Sequence, residues 1–267
     1  MIRDFKLIFA FLFFSMQLQA QAEYVACTII RENGIRTKGY VKDITPTKNK
    51  RLEAYDDLKS WEKIFNLDRK VFIYKSTENS EAVSIPSDSL KSIVIYPQQD
   101  KDSIIYDKVF TKTINISNNI VDLEKQLFLP LLRKGKLDFY GFYFTKYEGS
   151  SKSSNFMGYI KRPEDNFVIK TFDLNRLNIF NIWSFEERIL TAFLLLTKDC
   201  DSYQVHMTDK IAKAKKNDKS YKNQGKENIK KYLIESGDNS SDFNQTIANY
   251  IEYMQITYIK EYEDMCK

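Results

Sequence analysis

Along residues 23–100, short apolar runs alternate with polar breaks at the period-two spacing of strands. Glu23–Arg31 is β-branched and apolar, and Asn33-Gly34 supplies the signal of a tight hairpin turn. A return strand is predicted near Thr37–Ile44, around Gly39-Tyr40-Val41 and ending before Pro46. Leu52, Tyr55, Leu58, Trp61 and Phe65 then recur at helical spacing, so Arg51–Asn66 is expected to form a short helix or an irregular excursion. Three more short strands are predicted at Val71–Tyr74, Ala82–Ile85 and Ser92–Tyr96, separated by Ser76–Ser80 and by Pro86-Ser87-Asp88. Strands this short and evenly spaced predict a small antiparallel barrel or sandwich ending near Pro97.

The polar run Gln98–Asp102 has the composition of a linker, and Ile104–Tyr106 and Val109–Ile116 alternate again beyond it. Ile120–Leu132 has apolar residues at 120, 121, 123, 127, 128, 131 and 132, a spread that predicts a helix which Pro130 must start or kink. Gly135 is expected to stop that helix and to feed a long aromatic strand, Leu137–Thr145. One face of this strand carries Leu137, Phe139, Gly141, Tyr143 and Thr145, and the other Asp138, Tyr140, Phe142, Phe144 and Lys146. Aromatics on both faces predict a central strand with cover on each side. Phe156–Ile160 and Phe167–Phe172 complete a meander through a Gly/Ser-rich loop and a tighter turn at Pro163–Asn166.

From Ser184 onward the period becomes helical. Ser184 and Glu187 have capping-box spacing, and Phe185, Ile189, Ala192, Phe193 and Leu196 form one stripe. Further helices are predicted over Ser202–Lys215, near Glu227–Glu235 and from about Asp242. The expected fold is α+β. A β-rich part spans 23–100, a central helix plus antiparallel meander spans 101–180, and helices over 181–267 pack on it.

Residues 1–22 stand apart from this pattern. Arg3 and Lys6 precede the apolar run Leu7–Phe14, and a more polar stretch ends in Ala20-Gln21-Ala22. That layout predicts a secretory signal peptide cleaved between Ala22 and Glu23. The apolar run falls short of the roughly 20 residues that span a bilayer, and no later stretch reaches that length. Tyr24 stands where lipid attachment at Cys27 would prefer a Leu-like residue, which argues against a lipid anchor.

Export gives meaning to the three cysteines, Cys27, Cys200 and Cys266. They have no Cys-x-x-Cys spacing and no neighbouring histidine, so their pattern does not point to zinc. Cys200 follows one helical segment and Cys266 closes another, and the two are expected to pair in an oxidising compartment, leaving Cys27 in the first strand.

Composition is that of a globular protein: 43% hydrophobic, 29% charged, with 8 Gly and 5 Pro. The formal charge of +5 is concentrated in Lys198–Lys231, where ten lysines face five acids. Lys210, Lys213, Lys215, Lys216 and Lys219 are the residues of that segment that would contact an anionic polymer or head group. Arginine is absent there and Tyr221 is the aromatic near its centre, so no base-stacking platform for nucleic acid is visible. A solvated connection between helices is the plainer reading of the same residues.

His206 is the single histidine, and no nucleophile elbow surrounds any serine. Glu186/Glu187 and Asp199/Asp201 are the adjacent carboxylates one would pair as acid and base, but neighbours on a helix point different ways. No phosphate loop, dinucleotide fingerprint or metal-ligand motif is present, so no catalytic, cofactor-binding or metal residue is named.

Three passages resemble a loose group of exported proteins of Gram-negative bacteria with no assigned activity. They are the Gly39-Tyr40-Val41 strand with the block ending Ile85–Lys91, the Phe128–Tyr140 run with its Gly135-Lys136-Leu137 centre, and a helix into Asp199-Cys200 with a terminal helix ending at Cys266. The resemblance implies the β-then-α layout, export and the Cys200–Cys266 pairing, and it brings no catalytic residues. The expected function is a non-enzymatic cell-envelope protein, periplasmic or secreted, that binds a protein or envelope component or serves as a structural module stabilising an assembly. The alternatives are a hydrolase of envelope polymers using a carboxylate site, and a binder of acidic polymers through 198–231.

Overall fold

The computed structural model describes residues 24–42, 44, 49–51, 67–97, 102–115, 117–148, 151–171, 183–215, 227, 230–234 and 243–266. The signal segment with its Ala22/Glu23 junction, the helix expected within Arg51–Asn66, and Lys216 and Lys219 lie outside them. The side chains of Ser184 and Lys215 also lie outside. The chain divides into two compact units, one from residues up to 46 and 70–103, the other from 47–69 and 104–267. The class is α+β.

The first unit is an antiparallel meander. Strand β1 (Tyr24–Arg31) turns into β2 (Arg36–Lys42) through Gly34, whose φ of 81° and its N–H to the Arg31 carbonyl (2.9 Å) make the turn the Asn-Gly pair predicts. β2 pairs with β4 (Val71–Lys75), β4 with β5 (Val83–Pro86), and β6 (Leu90–Ile95) returns to β1 with Ile95 opposite Cys27. Alternation along β1 puts Val25, Cys27 and Ile29 on the buried face with Ile93 and Ile95. Burial pushes the Cys27 thiol up to about 12, so it should stay unmodified when the native protein meets an alkylating agent at about pH 8. Rapid labelling of Cys27 without denaturant would show that this face is open.

The second unit contains a closed ring. β7 (Ile104–Ile114), β8 (Ile120–Arg133), β9 (Asp138–Glu148) and β10 (Ser151–Lys161) run up and down. β11 (Phe167–Lys170) then pairs with β10 and, in parallel, with β7. Beyond the short β8–β9 seam, β9 takes β3 (Asn49–Arg51) as a parallel neighbour at Tyr143–Thr145. The closed barrel is therefore the central meander.

One expectation is corrected here. Ile120–Arg133 is a strand, not a helix, and Gly135 lies in the β8–β9 connection rather than at a helix end. The reason is that both faces of its middle are covered. Thr111 faces Lys125 while the next residue, Lys112, faces Asp122, and a second shift falls between Leu131 and Arg133. Those shifts mark the two ends of a stretch in which Leu127, Leu129 and Leu131 keep the inward phase while Phe128 and Pro130 are buried on the other, so apolar residues follow one another with no period-two gap. Pro130, opposite Tyr106, sits in the strand where an interior helix position would have lost a hydrogen bond and met a clash.

The two faces of β9 have different cover. Tyr140, Phe142 and Phe144 point inward and fill the barrel with Val109, Leu127, Leu129, Met157, Tyr159 and Val168, and Leu67 joins them. Leu137 and Phe139 point outward with Phe156, Ile160 and Ile169 against the helices. Those are α1 (Trp183–Leu196), α2 (Asp201–Lys215) and α3 (Phe243–Met265). Residues 230–234 are also helical, and Tyr232 packs its ring against Tyr250 and Tyr253 of α3.

A glycine pair sets how close α3 comes. Gly141 and Gly158 face each other across β9 and β10 on the outer side. A Cβ on Gly158 would land on the amide of Gln255, which is fully buried and held by the Thr171 hydroxyl (2.6 Å). At Gly141 it would meet the Phe156 ring at 2.5 Å and the Met157 carbonyl at 2.8 Å. Gly158→Ala is expected to lower the thermal midpoint by several degrees, read by circular dichroism, because the buried Gln255 amide would have to give up its Thr171 hydrogen bond to make room.

Candidate functional site

One end of the barrel gathers a group of ion pairs around Arg162 and Arg133. β10 ends at Lys161, and Pro163 begins a turn closed by the Asp165 N–H on the Arg162 carbonyl (3.1 Å). Alternation sends Arg162 outward, toward the junction of α1 and α2. Its Nε donates to the Leu196 carbonyl (2.5 Å), one of the free carbonyls at the end of α1. Its Nη2 donates to Asp199 Oδ1 (2.8 Å), and Nη1 lies 3.7 Å from Glu164. Tyr262, from the last turns of α3, donates to the other Asp199 oxygen (3.0 Å). Burial, then the Asp199 carboxylate that its hydroxyl serves, push the Tyr262 phenol up to about 12.

The same end holds the cysteines. Cys200 and Cys266 are in disulfide contact with Cα atoms 5.8 Å apart, joining the start of α2 to the end of α3. Lys136, in the β8–β9 connection, donates to the Cys266 carbonyl. Glu263, one turn earlier on α3, pairs with Arg133 (2.5 Å) and lies over Gly135, where a Cβ would collide with its carboxylate. Lys136, Arg162, Glu164, Asp199, Tyr262, Met265 and the cysteine pair line a half-open cavity of about 600 Å³ with Pro163. Two cations and two carboxylates line it, with Lys136 on the Cys266 carbonyl and Arg162 on Asp199 and 3.7 Å from Glu164, so the cleft offers both donors and acceptors.

Inside the barrel at this end, alternation brings a second set together. Asp107 on β7 shares the inward phase of Val109, and Asp138 on β9 shares that of Tyr140. The Tyr140 hydroxyl donates to Asp107 Oδ2 (3.0 Å), and the Gly135 N–H reaches Asp138 Oδ1 (3.3 Å). Lys161, opposite Asp138, donates to the Asp165 carbonyl (2.8 Å). Burial raises the Asp107 carboxyl above the ordinary range. The Tyr140 hydroxyl and Lys161 work against that rise, and Asp138 adds to it. The Tyr140 phenol is likewise raised, by burial first and by the Asp107 charge next.

That direction sets a pH dependence. A carboxyl whose value is raised on folding binds its proton more tightly in the native state, so stability falls as pH climbs from the unfolded value through the folded one. Asp107→Asn, which still accepts from Tyr140, should melt at or above the parent at about pH 7 and lose that advantage near about pH 4. Equal midpoints at both pH values would show that Asp107 is well solvated.

Residues singled out in the sequence lie elsewhere or in other roles. Lys210 donates to both Glu261 oxygens (2.9 and 2.7 Å) and lies over the Tyr258 ring, while Lys213 pairs with Asp209 (2.6 Å). His206 stands 3.3 Å from the same Glu261 carboxylate. Glu186 accepts from Tyr258 (2.8 Å), and Asp199 is held by Arg162 and Tyr262. Sequence reasoning missed Arg162, Tyr262, Asp107 and Asp138. The available signals were the acid at the inward phase of an otherwise apolar alternation and the Arg-Pro closing a strand.

Among the described residues, no group of three or more His, Cys, Asp or Glu side chains is placed to hold a metal, and no helix is long and apolar enough to cross a membrane. No protein-family model, no curated protein and no solved structure matches the chain.

Proposed function

We propose that the protein is an exported, non-enzymatic module of the bacterial cell envelope that binds a polar partner through the cleft at the barrel end. The observation that carries this reading is the bonded array around Arg162: a cross-linked wall, fixed donors and acceptors, and an aromatic hydroxyl facing one cavity. Preorganised polar groups of this kind favour recognition, because little ordering is left to be done on binding. The signal-like first 22 residues and the cysteine pair support export.

The test compares the parent with Arg162→Ala and Lys136→Glu as baits for cross-linking in the native envelope, with Lys213→Glu as a distant control. A partner held by the parent and the control but lost from both cleft variants supports the reading. A partner retained by folded cleft variants ends it.

The inward carboxylates favour a second reading, a hydrolase of envelope polymers. Asp107 has the raised value of an acid, and Asp138 adds a charge beside it. Turnover of an envelope polymer that vanishes in both Asp107→Asn and Asp138→Asn would establish it. The lysine-rich segment draws less support, because Lys210 and Lys213 are committed to Glu261 and Asp209.

A further inference from the structure

The Cys200–Cys266 bond joins two chemically unlike helix ends. Cys200 is the N-cap of α2: its carbonyl accepts the first helical bond from the Gln204 N–H (2.9 Å), and its own N–H goes back to Thr197 (3.2 Å). A thiolate there would sit at the positive end of a 15-residue helix. The Ser202 hydroxyl lies 3.4 Å from Cys200 Sγ and 3.5 Å from the Met265 carbonyl, to which it donates. Cys266 directly follows the last turn of the 23-residue α3, with its N–H on the Tyr262 carbonyl (3.0 Å), so its sulfur lies at a negative helix end. Lys136, Arg162, Glu164 and Asp199 line the cleft with the pair, Lys198 and Asp201 flank Cys200 in sequence and Asp264 precedes Cys266, and the Asp199 charge is taken up by Arg162 and the Tyr262 hydroxyl. Access is unequal too. Cys200 is 8% exposed, whereas Cys266 is half-buried, and both line the open cleft.

From this juxtaposition we infer that the Cys200–Cys266 bond is a thiol–disulfide exchange site for a protein dithiol, entered at Cys266 and left at Cys200. The first thiolate of the dithiol attacks Cys266 Sγ in line with the bond. The S–S bond breaks, and its electron pair leaves on Cys200 as a thiolate. The second thiol of the partner gives up its proton and attacks the mixed disulfide, and Cys266 departs as a thiolate that takes up a proton. The partner ends oxidised to a disulfide and this chain ends reduced, with Cys200 a thiolate and Cys266 a thiol carrying the partner's proton, a two-electron balance with no other reactant. The order follows from leaving-group chemistry, since the sulfur whose thiolate is better stabilised departs faster. Arg133–Glu263 and Tyr262–Asp199 continue to hold α3 to its neighbours when the bond opens.

The test uses the full oxidised chain in its native state. It is mixed with a thioredoxin-type domain carrying Cys-x-x-Ser in place of its dithiol, so that the mixed disulfide is trapped and can be mapped by peptide mass spectrometry. The expected adduct is on Cys266, by about tenfold or more over Cys200, with Cys27 unmodified as the sign that the fold is intact. An adduct mainly on Cys200, or none until denaturant is added, overturns the proposal. A second measurement titrates the single thiol left in each of two variants. Cys200 in Cys266→Ser should ionise below the ordinary value of about 8.5, and Cys266 in Cys200→Ser at or above it. The reverse order also overturns the proposal.

Discussion

Phe139→Asp is expected to abolish the cooperative unfolding transition and accumulation of the folded protein. Phe139 is fully buried on the outer face of β9, its ring 5.9 Å from that of Phe156, in the core shared with α1 and α3. Truncating a buried phenylalanine costs about 3–5 kcal/mol through lost burial and the cavity left behind. An unpaired carboxylate in the same place adds a desolvation penalty of several more, against a total stability of roughly 5–15 kcal/mol. Phe139→Leu keeps most of the volume and should remain folded with a lower midpoint. Circular dichroism melts of the purified proteins decide the matter. If the aspartate variant melts within a few degrees of the parent, β9 is not the shared wall of barrel and helices.

The second large effect is expected from removing the cross-link. Cys200→Ser with Cys266→Ser opens a loop of 66 residues, which the chain-entropy argument values at about 4 kcal/mol. The double variant should therefore stay folded at room temperature, with a clearly lower midpoint in urea and a somewhat steeper slope, because the unfolded chain is less compact without the cross-link. Reduction of the parent by excess dithiothreitol should produce the same shift. A midpoint unchanged by both treatments would mean that the ion pairs around Arg162 and Arg133 alone hold the helix ends.

How much of this was legible depended on how local the signal was. The hairpin at Gly34, the two-sided burial of β9 and the positions of α1 to α3 rest on neighbours in sequence, and each was readable from periodicity or a turn residue. β8 was not, because burial on both faces makes its middle apolar at consecutive positions and hides the alternation that marks a strand. Closure by β11 on β7 was also hidden, since nothing in Phe167–Lys170 records a parallel partner far back in the chain. The site shows the same divide. The cysteine pair could be expected from the helix ends that carry it, whereas Arg162 meets Asp199 and Tyr262 only because three separate elements end at one place.

Ring closure has a kinetic consequence. β11 is four residues long and can find its parallel partner only after β8, β9 and β10 have turned the chain back to β7. Contacts between segments so distant in sequence are gained late, after most of the loop entropy has been lost, so the β11–β7 seam is expected to be the last part of the barrel to form. Before that moment both β7 and β10 present open hydrogen-bonding edges on that side of the meander, the kind that recruit a second chain. The four-residue strand thus ends the interval in which a folding chain is most exposed to association. Weakening it through Val168 or Ile169, both fully buried, should raise aggregation during refolding more than it lowers the final stability.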